Sequence, residues 1–209
     1  GDGILKSGEK SEGWMSVSDG NRGVTVALKN MVEEYQNELR VDSESGTIHA
    51  YTWSPSEEPM SFARYDTEPD GGMVGNFAQG LTKTTELILN FSEGGQDAGS
   101  ARSDVMALIS SPVAHAGAEW YSRSGVYGQF AGTGTGTGFE PLERSLQYKY
   151  EWMIFNQRWE PWYGMFTYGD MRNYYFNDNW YQWGNNEPAM DFQYWMQFMR
   201  SADLDFYET

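Results

Sequence analysis

The 209-residue chain has no cysteine and only two histidines, His49 and His115. The first absence removes disulfides, cysteine metal clusters and thiol nucleophiles, while leaving the redox compartment open. The second leaves no histidine metal spacing such as HExxH, since the pair sits in separate segments, IHAYTW and PVAHAG, whose ordinary readings are a strand and a loop histidine. Basic residues are also scarce. Fourteen Lys and Arg against thirty Asp and Glu give a formal net charge of −16, which repels phosphate backbones and anionic surfaces, so neither nucleic acid nor a membrane is an expected partner. No apolar run is long enough to span a bilayer. There is no Walker loop and no GxSxG, and GTGTGTG at 132–138 has glycine spacing without a flanking strand–helix pattern. The chain starts GDGILKSGEK, without an initiator Met or apolar targeting segment, and ends RSADLDFYET straight after a helical pattern. A processed chain or a fragment is expected.

What is present is apolar enough to fold: 39% hydrophobic residues and 16% aromatics argue against disorder. From Trp14 to Phe91 the pattern is that of strands and turns. GVTVAL puts Val24, Val26 and Leu28 on one face, RVDSESGTIHAYTW reads as a hairpin about Ser43 to Gly46, and KTTELILNF puts Thr85, Leu87, Leu89 and Phe91 on one side. Between them KNMVEEYQNEL is a candidate short helix. Residues 1–98 are therefore expected to be antiparallel β, and residues 99–138 a linker holding one short helix, with Val105, Met106 and Ile109 on its stripe, and the Gly/Thr-rich hinge.

Beyond Gly138 the period becomes helical. Pro141 suits a first helical position, and Leu142, Leu146, Tyr150 and Met153 recur at helix spacing. A second helix after Pro188 has Phe192, Trp195, Met196 and Met199 as its apolar face. Two such helices cannot bury their faces alone. The rest of a larger helical array, or self-association, is the expected cover.

Between these helices lies WYGMFTYGDMRNYYFNDNWYQWGNNEP, with ten aromatic residues from Trp162 to Trp183 and neither a helical nor a strand period. Flat rings beside amides, carboxylates and a guanidinium are the materials of a carbohydrate site, in which sugar C–H faces pack on rings and fixed polar groups hold hydroxyls. Trp162, Tyr163, Trp180 and Trp183 are the candidate platforms, although any of Trp162, Phe166, Trp180 and Trp183 could instead wedge between helices. Tyr168, Asp170 and Arg172 of YGDMR and Asn185, Asn186 and Glu187 of WGNNEP converge if the loop caps adjacent helices. Glu187 has an alternative reading as a helix N-cap beside Pro188.

The ordered runs GWMSVSDGNRGVTVALKNMVEEYQNEL, IHAYTWSP, GLTKTTELILNF, WYGMFTYGD and WGNNEPAMDFQYWMQFMRSAD resemble the middle of exo-rhamnogalacturonan lyase-like polysaccharide lyases, a group related to ulvan lyases. The resemblance implies an α+β multidomain chain: a β-sandwich segment over 1–98, the linker over 99–138, and over 139–209 the first helices of an (α/α) toroid. It also implies a secreted enzyme, extracellular or periplasmic, that cleaves a uronate-containing polysaccharide by β-elimination, with cleft-facing YGD and NNE stretches. Elimination needs the C5 carboxylate neutralised, a base for the C5 proton and an acid for the departing oxygen. Arg172 with Asn185 or Asn186 are the candidates for neutralisation, and Tyr168 for proton transfer, with Tyr163 as its competitor. A divalent cation such as calcium is a further candidate. The alternatives are a glycoside hydrolase using Asp170 and Glu187 and a module that binds glycan without cutting it.

Overall fold

The computed structural model describes all residues except 1–9, 62, 66–72, 77, 111, 129, 135, 137, 175–180, 185, 188 and 209, and describes the backbone alone at 63–65, 73–76, 173, 174, 181 and 182. The protein is a mixed α/β chain with antiparallel sheets, and it divides into two compact units, residues 1–109 and 110–209. The helix expected in the linker belongs to the first unit and the Gly/Thr run to the second.

In the first unit β1 (Trp14–Ser18), β2 (Arg22–Leu28) and β7 (Leu87–Glu93) form a sheet in the order β1-β2-β7. The hairpins β3 (Glu38–Asp42) with β4 (Thr47–Tyr51), and β5 (Ala63–Tyr65) with β6 (Met73–Asn76), are separate pairs. Register explains the first sheet. Val26 pairs with Met15 and Leu89, Val24 with Val17 and Phe91, and Leu28 with Leu87, so one face is apolar across all three strands because directly paired residues share a face. The opposite face carries Thr25 and Ala27, buried with Ala101 and Val105 of α1 (Ala98–Ile109). Asn90 on that face donates to Asp104 of α1 at 3.1 Å. The apolar face is closed over Val26 and Leu28 but open along β7, where Phe91 is 75% exposed.

The candidate helix over KNMVEEYQNEL is instead a run of turns over 29–34. Asn30 takes a left-handed φ of 52°, a conformation that Asn tolerates and that stops a helix. Asn37 Nδ2 then donates to the carbonyls of Met31 (3.3 Å) and Glu34 (3.0 Å), and Glu34 pairs with Lys83. Non-local partners win over a weak local period here.

The second unit holds α2 (Ala118–Ser124), α3 (Glu140–Trp159), the short hairpin of β8 (Arg172–Tyr174) and β9 (Tyr181–Trp183), α4 (Met190–Ser201) and α5 (Asp205–Glu208). The core is Met153, Trp162, Tyr194, Phe198 and Phe206. Pro141 does fall in the first turn of α3, where its missing N–H costs nothing. Only the C-terminal half of the expected α3 stripe is used: Met153 is buried, whereas Leu142 and Leu146 stay exposed. The buried face of α4 is rotated from the expected one, because Tyr194 and Phe198, four apart, enter the core with Met199 and leave Phe192 and Trp195 half exposed. Burying Tyr194 is tolerable because its hydroxyl donates to Met153 Sδ, and that burial pushes the phenol well above its usual range. A second aromatic stripe, Tyr148, Trp152, Phe155 and Trp159, runs along the outside of α3, with Trp159 73% exposed.

The Gly/Thr run does not behave as a free hinge. Arg200 Nε donates to Ala131 O at 2.8 Å, Thr133 N donates to Arg200 O at 3.3 Å, and Gly136 N donates to Glu140 Oε1 at 2.6 Å. A Cβ on Gly132 would meet Ala118 Cβ at 3.1 Å. The segment packs as a strap, and its glycines allow the close approach.

Among the described residues three aspartates of the first unit are held below their usual range by local donors: Asp97 by the Ser100 hydroxyl and then the Ser100 and Gly99 N–H groups, Asp42 by the Ser45 hydroxyl and backbone, and Asp19 by the N–H groups of Arg22 and Asn21. A depressed folded-state value means that the stabilisation is fully present above the unfolded value and is lost as pH falls through the folded one. The melting temperature of the first unit is therefore expected to drop as pH falls below about 4. Asp97→Ala, which removes the α1 cap, should have a shallower acid drop by differential scanning calorimetry; an acid slope equal to wild type would contradict the assignment.

Candidate functional site

The segment between α3 and α4 is set by how α3 ends. Glu160 N donates to Asn156 O at 2.9 Å, Pro161 follows, and Trp162 N turns back to Gln157 O at 3.0 Å, which drives the Trp162 ring into the core. The ring is 1% exposed, and its Nε1 donates to Glu160 Oε2 at 2.9 Å. Trp162 is thus the wedge between helices and presents no free face to a ligand.

After Trp162 the chain makes a tight turn. Gly164 has φ 154°, and a Cβ there would fall 2.4 Å from Thr167 Oγ1, so the turn requires glycine. Tyr168 N and Thr167 N donate to Gly164 O at 3.1 and 3.2 Å, and Asp170 N to Thr167 O at 2.9 Å. This closes the turn with Tyr168 and Asp170 on one wall of an open cavity of about 340 Å³, within the size range of small-molecule sites. Asn186 reaches the same cavity from the far side of the β8–β9 hairpin. It stands at φ 56°, its N–H lies 3.5 Å from Asp170 Oδ1, and its Oδ1 accepts from Asp191 N at 3.4 Å. Asp170 Oδ1 also accepts from Met171 N at 2.8 Å. Gly184 allows this approach, since a Cβ there would sit 3.1 Å from Asp170 Oδ1.

Of the residues singled out from the sequence, Tyr168, Asp170 and Asn186 are brought together on this cavity. Tyr163 stands behind them, edge-on to Tyr168 with centroids 5.9 Å apart. Arg172 is not on the cavity wall: its guanidinium lies over the Trp183 ring, 5.6 Å from the centroid, and Trp183 is packed against the core. Glu187 is exposed at the turn, its N–H bonded to Gly184 O at 2.9 Å. The backbone at the start of α4 is met by Asn186 Oδ1 rather than by Glu187. Trp180 and Asn185 lie outside the described residues.

The remaining walls were not among the candidate site residues, although the sequence marks Phe166 as a wedge and Trp195 as part of a helix's apolar face. Phe166, Asp191, Trp195 and Tyr207 line the cavity, with Met190, Tyr194 and Phe206 behind them. Trp195 meets Tyr207 edge-on at 5.3 Å and 89°. Asp191 and Trp195 are one helical turn apart at the start of α4, a spacing that puts both on one face and was legible once α4 was placed. Tyr207 has no such signal, because its position depends on the turn into α5.

Neither histidine belongs to the cavity. His49 stacks on Tyr51 in β4 at 5.7 Å. His115 Nδ1 accepts from Gly117 N at 3.0 Å, and its Nε2 donates to Met199 O at 3.1 Å, a structural staple at the end of α4. Among the described residues there is no group of three or more His, Cys, Asp or Glu side chains placed to hold a metal ion. Two carboxylates fall short of the roughly six to eight oxygens that calcium takes. Asp170 Oδ1 and Asn186 Oδ1 also already accept backbone N–H groups.

The core and cavity roles of the two tryptophans differ measurably. Trp162→Ala should destabilise the second unit by about 3–5 kcal/mol, whereas Trp195→Ala, half exposed on the cavity wall, should cost about 1 kcal/mol or less. Urea titration of both variants checks this, and equal losses would place Trp195 in the core and remove it from the site. No family model and no curated protein matches this chain.

Proposed function

We propose that the cavity is a glycan site and that the protein cleaves a uronate-containing polysaccharide, of the rhamnogalacturonan or ulvan kind, by β-elimination. The observation that carries this reading is the convergence of Tyr168, Asp170 and Asn186, from two separated parts of the aromatic segment, on one open cavity walled by Phe166, Trp195 and Tyr207. Rings take the C–H faces of a sugar, and carboxylate, amide and phenol groups take its hydroxyls. In the elimination the C5 proton leaves, the C4–oxygen bond breaks, a C4–C5 double bond forms and the departing oxygen gains a proton. Tyr168, on the cavity wall, is the group to which we assign the giving or taking of that proton. The Asn186 amide is the donor for the uronate carboxylate, a part assigned from the sequence to Arg172 with Asn185 or Asn186.

The fold associated with this reading, a β-sandwich followed by an (α/α) toroid in a secreted, multidomain enzyme, fits the strand-then-helix order of the two units. The outer stripe of α3 is the surface that further helices of such a toroid, or a second copy, would cover. One observation favours a second reading, hydrolysis: Asp170 and Asp191 line the same cavity, and a carboxylate pair is what a glycosidase uses.

Incubation with a panel of uronate polymers separates the two. Elimination yields unsaturated ends that absorb in the near ultraviolet, whereas hydrolysis yields saturated products heavier by one water. Tyr168→Phe should lower turnover by roughly a hundredfold with an unchanged melting temperature. Absence of any absorbance gain across the panel would sink the elimination reading, and near-wild-type turnover of Tyr168→Phe would remove that residue from the chemistry.

A further inference from the structure

A second cavity, of about 370 Å³, opens within the same unit, walled by α3, the Gly/Thr strap and the C-terminal end of α4, and it shares Phe206 with the first. Its charge differs. Among the described residues the first cavity is lined by Asp170 and Asp191 and by no Lys or Arg. The second is lined by Glu143, Arg144 and Asp203. Glu143 is already neutralised by its ion pair with Arg200. Arg200 also engages Gln197 Oε1 at 2.8 Å and the strap at Ala131, so the clamp fixes this wall before any ligand arrives.

Arg144, in contrast, is exposed and makes no ion pair or hydrogen bond among the described residues, and it stands on the wall beside Leu146 and Phe206. Gln197 has its oxygen held by Arg200, which turns its amide N–H groups to other acceptors. Asp203 accepts from Asp205 N at 3.0 Å through one oxygen and carries its charge on the same wall. A cation and an amide donor favour a carboxylate, Asp203 favours hydroxyl donors over a bare anion, and Leu146 with Phe206 provide an apolar floor.

We propose that this second cavity binds an acidic sugar unit, its carboxylate on Arg144 and a hydroxyl on Asp203, as an additional subsite for a polymer whose cleaved unit sits in the first cavity. The proposal rests on the glycan reading of the first cavity and deepens it by assigning a further acidic unit of the same polymer to a different wall.

The test uses the intact protein with glucuronate, glucose and sulfate as probes, read by saturation-transfer NMR and calorimetry. Wild type should bind glucuronate more tightly than glucose, and Arg144→Gln should weaken glucuronate by about fivefold, the scale of one partly exposed ion pair, while leaving glucose binding and the melting temperature unchanged. Glucuronate affinity unaltered in Arg144→Gln, or sulfate competing as well as glucuronate itself, would overturn the proposal. The two readings fail separately. Glucose binding that Trp195→Ala abolishes, with no preference for glucuronate in wild type, removes the acidic subsite and keeps the glycan site. An Arg144-dependent preference in a protein that cleaves no polymer keeps the subsite and removes the proposed reaction.

Discussion

Burial of the Trp162 ring is the interaction on which the second unit depends. It closes the space between Met153 of α3, Tyr194 and Phe198 of α4 and Phe206 of α5, and it does so within three residues of the end of α3. Because the ring is anchored, the chain that follows must turn at Gly164, and that turn places Tyr168 and Asp170. The same Tyr194 and Phe206 that cover the tryptophan line the cavity from behind. Core and cavity are therefore two sides of the same side chains, so loss of the wedge should be felt at both.

Electrostatics does the comparable work at the other end of α4. In a chain of net charge −16, Arg200 is spent on holding elements together: Glu143 of α3, Gln197 one turn back on its own helix, and the carbonyl of Ala131 on the strap. Its side chain is 14% exposed, so this pairing is less screened than a surface one, and its several hydrogen bonds offset the desolvation of the charge. A segment with no side chains for building a core acquires a fixed place this way.

The parts of the fold legible in the sequence are those set by short-range period. The hairpin around Ser43 to Gly46 is present with Arg40 opposite His49, and Val24, Val26 and Leu28 share a face with Leu87, Leu89 and Phe91 as alternation requires. Both late helices formed where helical spacing placed them. What escaped was decided by partners distant in sequence. Asn37 and Lys83 turned a helical pattern into turns, Arg200 captured the Gly/Thr run, and the rotation of α4 followed from Tyr194 finding Met153. At the candidate site Tyr168, Asp170 and Asn186, named from the sequence, line one cavity. Arg172 lies instead over the Trp183 ring, and Trp195 and Tyr207, which no sequence pattern assigned to the site, meet only when α4 and α5 pack. Within an aromatic-rich segment, composition alone does not separate a ring that wedges from one that binds.

That separation is the central claim: Trp162 belongs to the core and Trp195 to the cavity wall for which we propose glycan binding. The most direct measurement is the indole N–H spectrum of nitrogen-labelled protein, with each tryptophan assigned by substitution, during titration with an acidic oligosaccharide. The Trp195 resonance should move progressively with ligand while that of Trp162 stays in place. A spectrum in which Trp195 does not respond, or in which Trp162 shifts first, would contradict the account.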